Sequence, residues 1–89
     1  MSDPHWRVEF APRARKDLLR LDRQVQRRVI EALDRLAAGE RLSGDVRRLA
    51  GSTEYRLRVG DRRIRFELDG DRLLITVVRI LPRGRAYDR

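Results

Sequence analysis

Tyr55-Arg56-Leu57-Arg58-Val59-Gly60-Asp61-Arg62-Arg63-Ile64-Arg65-Phe66 is the stretch that decides the fold. Apolar residues alternate with arginines on both sides of Gly60-Asp61, the pattern of two strands joined by a two-residue turn. In that register Arg58 faces Arg63 and Arg56 faces Arg65, while Leu57 meets Ile64 and Tyr55 meets Phe66. One face of the hairpin is apolar, and the other carries four guanidinium groups. Like charges opposed across two strands cost a few tenths to ~1 kcal/mol per pair. Such a face calls for wide solvation or for an anion.

Downstream, Asp69-Gly70-Asp71 is a second turn signal, and it leads into Leu73-Leu74-Ile75-Thr76-Val77-Val78-Arg79-Ile80-Leu81. So many β-branched residues in succession predict a strand covered on much of both faces. Pro82 cannot donate to a ladder and ends regular pairing. A two-residue turn at Asp69-Gly70 would pair Phe66 with Leu73 and point Arg83 away from the arginine face. A three-residue Asp69-Gly70-Asp71 loop, or a bulge in the last strand, would bring Arg79 and Arg83 onto it. One of these two is expected.

Upstream, Trp6-Arg7-Val8-Glu9-Phe10 alternates as a first strand. Pro12 suits the first turn of a helix, and Arg13 to Leu21 places Ala14, Leu18 and Leu21 on one side. Asp22 is the expected N-cap of a second helix, in which Val25, Val29, Leu33 and Leu36 recur at helical spacing. Gly39 ends it. Glu40 to Glu54 is polar and predicts a loop with at most one short strand. The fold expected is α+β: a small antiparallel sheet of about four strands with an N-terminal helical hairpin on one face, in the order β-α-α-β-β-β.

Eighty-nine residues suit one domain spanning 1–89, with a single modest core. There are no cysteines, so disulfides and thiolate metal sites are excluded. The lone histidine, His5, has no second ligand to share a metal, and the serines have no histidine to activate them. No glycine-rich phosphate loop is present, and no cofactor is expected. No apolar run approaches the ~20 residues that span a bilayer, so a cytoplasmic protein without membrane contact is expected. The net charge is +8, and of 22 basic residues all but Lys16 are arginine. That balance favours polyanionic partners, although a GC-rich genome would also favour arginine codons.

The arginine face therefore has two readings. As a solvated outer surface it does nothing. As a phosphate clamp it uses guanidinium groups, which bind phosphate oxygens by paired, charge-assisted hydrogen bonds. Tyr87, close in sequence to Arg83 and Arg85, is placed either to stack on a base or to cover the sheet.

Val46-Arg47-Arg48-Leu49-Ala50-Gly51, Tyr55 to Asp61, Arg63-Ile64 and the ending Arg83-Gly84-Arg85-Ala86-Tyr87 together resemble the RelE/ParE superfamily of toxins from bacterial type II toxin-antitoxin systems. The resemblance spans nearly the whole chain and implies a small antiparallel sheet with two helices on one face. Its RelE branch implies a metal-independent, ribosome-dependent mRNA endoribonuclease. There the ribose 2′-hydroxyl attacks the adjacent phosphate in the ribosomal A site, leaving a 2′,3′-cyclic phosphate and a 5′-hydroxyl.

By position, the resemblance makes Arg56, Arg58, Arg63 and Arg83 the catalytic set. Arg56 and Arg63 would stabilise the phosphorane, and Arg83 would assist the leaving 5′-oxygen. Tyr87, Arg65 and Arg85 would bind substrate. Arg56 and Arg58 stand where the RelE branch often has lysines, and Pro82 where many relatives have a histidine, so the resemblance supplies a phosphate clamp and no general base. A cognate antitoxin is the implied protein partner, covering the toxin with an amphipathic, partly acidic segment. The alternatives are a ParE-like inhibitor that binds DNA gyrase and cleaves nothing, and a non-toxic basic nucleic-acid-binding module.

Overall fold

The computed structural model describes residues 5–40, 46–49 and 51–82. In chain order its elements are β1 (Arg7–Phe10), α1 (Pro12–Leu19), α2 (Arg23–Ala37), β2 (Val46–Arg48), β3 (Glu54–Val59), β4 (Arg62–Asp69) and β5 (Leu74–Pro82). β3 and β4 pair in the register that their alternation dictates: Tyr55 with Phe66, Arg56 with Arg65, Leu57 with Ile64, Arg58 with Arg63. Gly60 takes φ +57° while Asp61 stays at negative φ, the pattern of a type II′ turn. The Tyr55 and Phe66 rings stack with centroids 5.6 Å apart, which locks the apolar side of the hairpin.

The sheet has five strands in the order β1-β5-β4-β3-β2, one more than the four expected. It is also mixed rather than purely antiparallel, because β1 runs parallel to β5, Val8 beside Ile75 and Phe10 beside Val77. Alternation in Trp6–Phe10 sets which side chains point inward, but it carries no information on strand direction when the pairing partner lies more than sixty residues away. The fifth strand, β2, pairs over only three residues with Tyr55 to Leu57. That is too short for period-2 alternation to announce it.

Both helices start where their sequences specify, and α1 ends at Leu19, two residues before the Leu21 expected. Pro12 opens α1, and the Asp22 carboxylate caps α2 by accepting the Val25 N–H at 3.0 Å. At the far end of α2, Gly39 at φ +86° lets its own N–H reach Leu36 O while Glu40 N–H reaches Arg35 O. These two bonds form a Schellman cap. The helices cover one side of the sheet, where Ala14, Val29, Leu33 and Ala37 meet Leu57, Ile64, Phe66, Ile75, Val77 and Ile80. Fully burying each of the larger side chains contributes about 1.5–3 kcal/mol. Phe66, the largest of them, is the residue whose truncation to alanine would cost most, about 3–5 kcal/mol.

β4 and β5 are joined by Gly70 to Leu73, a longer connection than the two- or three-residue turns considered from sequence. Asp69 Oδ1 accepts the N–H groups of Asp71 and Arg72. The register then shifts: Phe66 pairs with Val77, but Arg65 pairs with Arg79. Val78 is the extra residue of a β-bulge. Of the two devices anticipated, it is the bulge that brings Arg79 into the arginine row, and it explains why inward-facing apolar positions run 75, 77 and then 80.

A cationic sheet face as candidate functional site

The side of the sheet away from the helices is ordered into rungs. One rung crosses four strands as Arg47, Arg56, Arg65 and Arg79, on β2, β3, β4 and β5. Next to it, toward the Gly60 turn, lie Arg58, Arg63 and Leu81. On its other side lie Glu54, Glu67, Thr76 and Glu9. A basic band therefore crosses the strands, with an acidic band alongside it.

Carboxylates neutralise the β4 and β5 part of the basic rung. Arg65 Nε lies 2.8 Å and NH2 2.7 Å from Glu54 Oε1, with only 27% and 15% of the two side chains exposed. Arg79 donates through Nε at 2.8 Å and NH2 at 3.2 Å to the two carboxylate oxygens of Asp17, which also accepts the Ile80 N–H at 2.9 Å. Burial of Asp17 favours its neutral form. The hydrogen bonds from Arg79 and Ile80, with the charges of Arg79 and Arg13, outweigh this and hold the carboxyl below the ordinary aspartate range. The Arg79 pKa is raised, chiefly by the hydrogen bond to Asp17 acting against burial.

On the β2 and β3 side, neighbouring arginines act on one another. Arg56 has its pKa lowered by burial first, then by the charges of Arg63 and Arg47. Arg63 stands diagonally across the β3–β4 ladder from Arg56, and its buried Nε has no hydrogen-bond partner among the described residues. A guanidinium remains charged at neutral pH, so the crowding is not relieved by loss of a proton. The site can bind and polarise an oxyanion. Among the described residues, no three histidine, cysteine, aspartate or glutamate side chains are grouped to hold a metal ion.

Of the residues singled out from sequence, Arg56, Arg58, Arg63 and Arg65 share this face. Arg83, Arg85 and Tyr87 lie outside the described residues. Sequence reasoning missed Asp17, which takes up Arg79, and Arg47, whose strand is too short to read. No helix among the described residues is long and apolar enough to cross a membrane.

Residues 8–87 match the family described as the ParE toxin of type II toxin-antitoxin systems, parDE. The chain belongs to the RelE/ParE superfamily of toxins. No curated protein matches it in sequence. Among solved structures, a chain of the archaeal RelE–RelB complex from Pyrococcus horikoshii OT3 is 31% identical, with a TM-score of 0.77 over 92% of this chain and 99% of that one. A chain of the RelB–RelE complex from Methanococcus jannaschii is 30% identical, with a TM-score of 0.72 over 91% and 96%. The E. coli RelBE toxin-antitoxin complex shares the fold at 17% identity, with a TM-score of 0.75 over 90% and 99%. This RelE/ParE chain is thus the toxin component of a type II system.

Proposed function

We propose that this toxin is a RelE-type endoribonuclease that cuts mRNA in the ribosomal A site. The observation that carries the reading is the position of Arg56. It is partly buried on the sheet face away from the helices, with Arg63 and Arg47 as neighbouring charges. An oxyanion seated between these cations gains charge-assisted hydrogen bonds and removes their mutual repulsion. The gain is largest when a non-bridging phosphate oxygen acquires charge as the 2′-oxygen attacks. The 2′-hydroxyl loses its proton as the new P–O bond forms, the P–O5′ bond breaks, and the 5′-oxygen takes up a proton.

Arg56, Arg58 and Arg63 serve the phosphorane in this scheme. Arg83 serves the leaving 5′-oxygen, Tyr87 stacks on a base, and Arg65 and Arg85 add substrate contacts. The arginines act on charge, not on protons. Placement of the mRNA by the ribosome supplies orientation, worth several orders of magnitude in rate. The likeness to RelE–RelB complexes supports a cognate antitoxin as the physiological partner, laying an acidic amphipathic segment over the toxin.

A second reading, a non-cleaving DNA gyrase inhibitor, is favoured by the match of residues 8–87 to the ParE toxin description. Translation in vitro with purified ribosomes and a defined mRNA separates the two. Cuts within A-site codons that end in 2′,3′-cyclic phosphates, and that vanish in Arg63→Ala, are expected. Intact mRNA together with blocked gyrase supercoiling would establish the inhibitor instead.

A further inference from the structure

Arg47 stands at the outer end of the basic rung. It lies on β2, directly beside Arg56, with its side chain exposed. Neighbouring strands lie about 5 Å apart, so the two guanidinium groups reach into adjoining space above the face. No carboxylate among the described residues forms an ion pair with Arg47. The next two members of the rung are held by Glu54 and Asp17. At the β2 edge, beside Arg56, Arg47 is therefore a cation that no described carboxylate takes up.

The acidic band fixes a direction as well. Glu54 and Glu67 face each other across β3 and β4, and Glu9 follows on β1 beyond Thr76. A polyanion lying along the strands would have to cross this band. One lying across the strands, over Arg56 toward Arg47, would not.

We propose that Arg47 holds a second phosphate of the RNA, next to the one seated at Arg56 and Arg63, so that the substrate strand crosses the sheet and leaves it over the β2 edge. This rests on the nuclease reading above. It adds to that reading a binding residue and a direction of travel that the Arg56–Arg63 cluster alone does not give. The competing role for Arg47 is that of an edge charge discouraging strand-to-strand association. Such a role would involve no particular phosphate.

The two are separated by a cycle with one arm on the protein and the other on the RNA. Wild-type toxin and Arg47→Ala are assayed on ribosome-bound mRNA in which a single linkage flanking the scissile one is a neutral methylphosphonate, on the 5′ side in one series and the 3′ side in the other. The modified nucleotide carries a 2′-O-methyl group to keep that linkage intact, and a 2′-O-methyl phosphodiester is the control. For one of the two positions, neutralising the phosphate should slow the wild type by about tenfold, the loss of one charge-assisted contact. Arg47→Ala should be slower by a similar factor on the unmodified message, and insensitive to the neutral linkage there. Arg47→Lys should recover most of the rate and the sensitivity.

Losses that multiply independently at both positions, or an Arg47→Ala rate equal to wild type, would overturn the assignment while leaving the nuclease reading intact. Absence of cleavage by the wild type would overturn both. Thermal unfolding of Arg47→Ala, expected to match the wild type because the side chain is exposed, separates a contact loss from a folding defect.

Discussion

Arg63 and Arg79 lie on the same sheet face but in opposite surroundings. Arg79 meets a carboxylate that accepts two of its N–H groups and a backbone N–H besides. Arg63 has a buried Nε with no acceptor among the described residues, and its charge disfavours that of Arg56. One arginine has its binding capacity used within the fold. The other has a buried donor that no described residue accepts. The kind of residue is identical, so the role of each arginine follows from where the nearest carboxylate sits.

The largest expected effect breaks this contrast at the Arg63 end. Arg63→Met should cut the cleavage rate by about 10²–10³-fold, the usual cost of removing one donor to a developing oxyanion. The melting temperature should hardly move, since methionine keeps the packing and removes an unsatisfied buried N–H. A drop in stability in step with activity would show that Arg63 belongs with Arg79 after all.

The mirror experiment is Arg79→Met. It leaves the Asp17 carboxylate, 12% exposed, without its cation and should destabilise the fold by about 2 kcal/mol. At 4–8 °C per kcal/mol for a domain of this size, the melting temperature falls by roughly 10 °C. Calorimetry or thermal circular dichroism measures it.

A smaller effect is a pH dependence. The Asp17 pKa is lower in the folded state than in the unfolded chain, so the unfolded state binds a proton more readily. The stabilisation is complete above the unfolded aspartate value of about 3.9 and is lost as pH falls through the folded one. Urea titrations from pH 6 downward should show a stability decline below about pH 4 that is shallower in Asp17→Asn. Equal slopes would mean that another carboxylate carries the acid limb.

Glu54→Gln should have the smallest effect on the fold. It removes the charge held against Arg65 and costs about 1 kcal/mol. It also adds one net positive charge to the face, so RNA affinity should rise, and fall more steeply with salt, by a slope of about 0.7 per added phosphate contact. Filter binding across a salt series tests this, and an unchanged slope would show that freeing Arg65 of its carboxylate adds no RNA contact.

Which features were legible in the sequence follows the same division between near and far. The β3–β4 hairpin was readable residue by residue because a glycine turn and strict alternation fix register locally. The helix limits were readable from Pro12, Asp22 and Gly39 for the same reason. The bulge at Val78 was reachable only as one of two alternatives, by asking what would bring Arg79 and the arginine row together. The pairing of Asp17 with Arg79 spans 62 positions and has no local signature, since an aspartate late in a short helix looks like any solvated one. The parallel direction of β1 and the bounds and pairing of β2 were hidden by the same limit, and the place of Arg47 with them.

The Asp17 carboxylate also bears on how the sheet avoids unwanted growth. β5 is nine residues long, but β1 accompanies it only as far as Phe10 beside Val77. Beyond that point its outer edge would present bare N–H groups, the template on which strands of different molecules join into aggregates. At Ile80 the waiting N–H is taken by an aspartate from α1. The helix thus stands in for the missing length of strand, and a long inner strand can outrun its short neighbour without offering a strand of another chain a place to add.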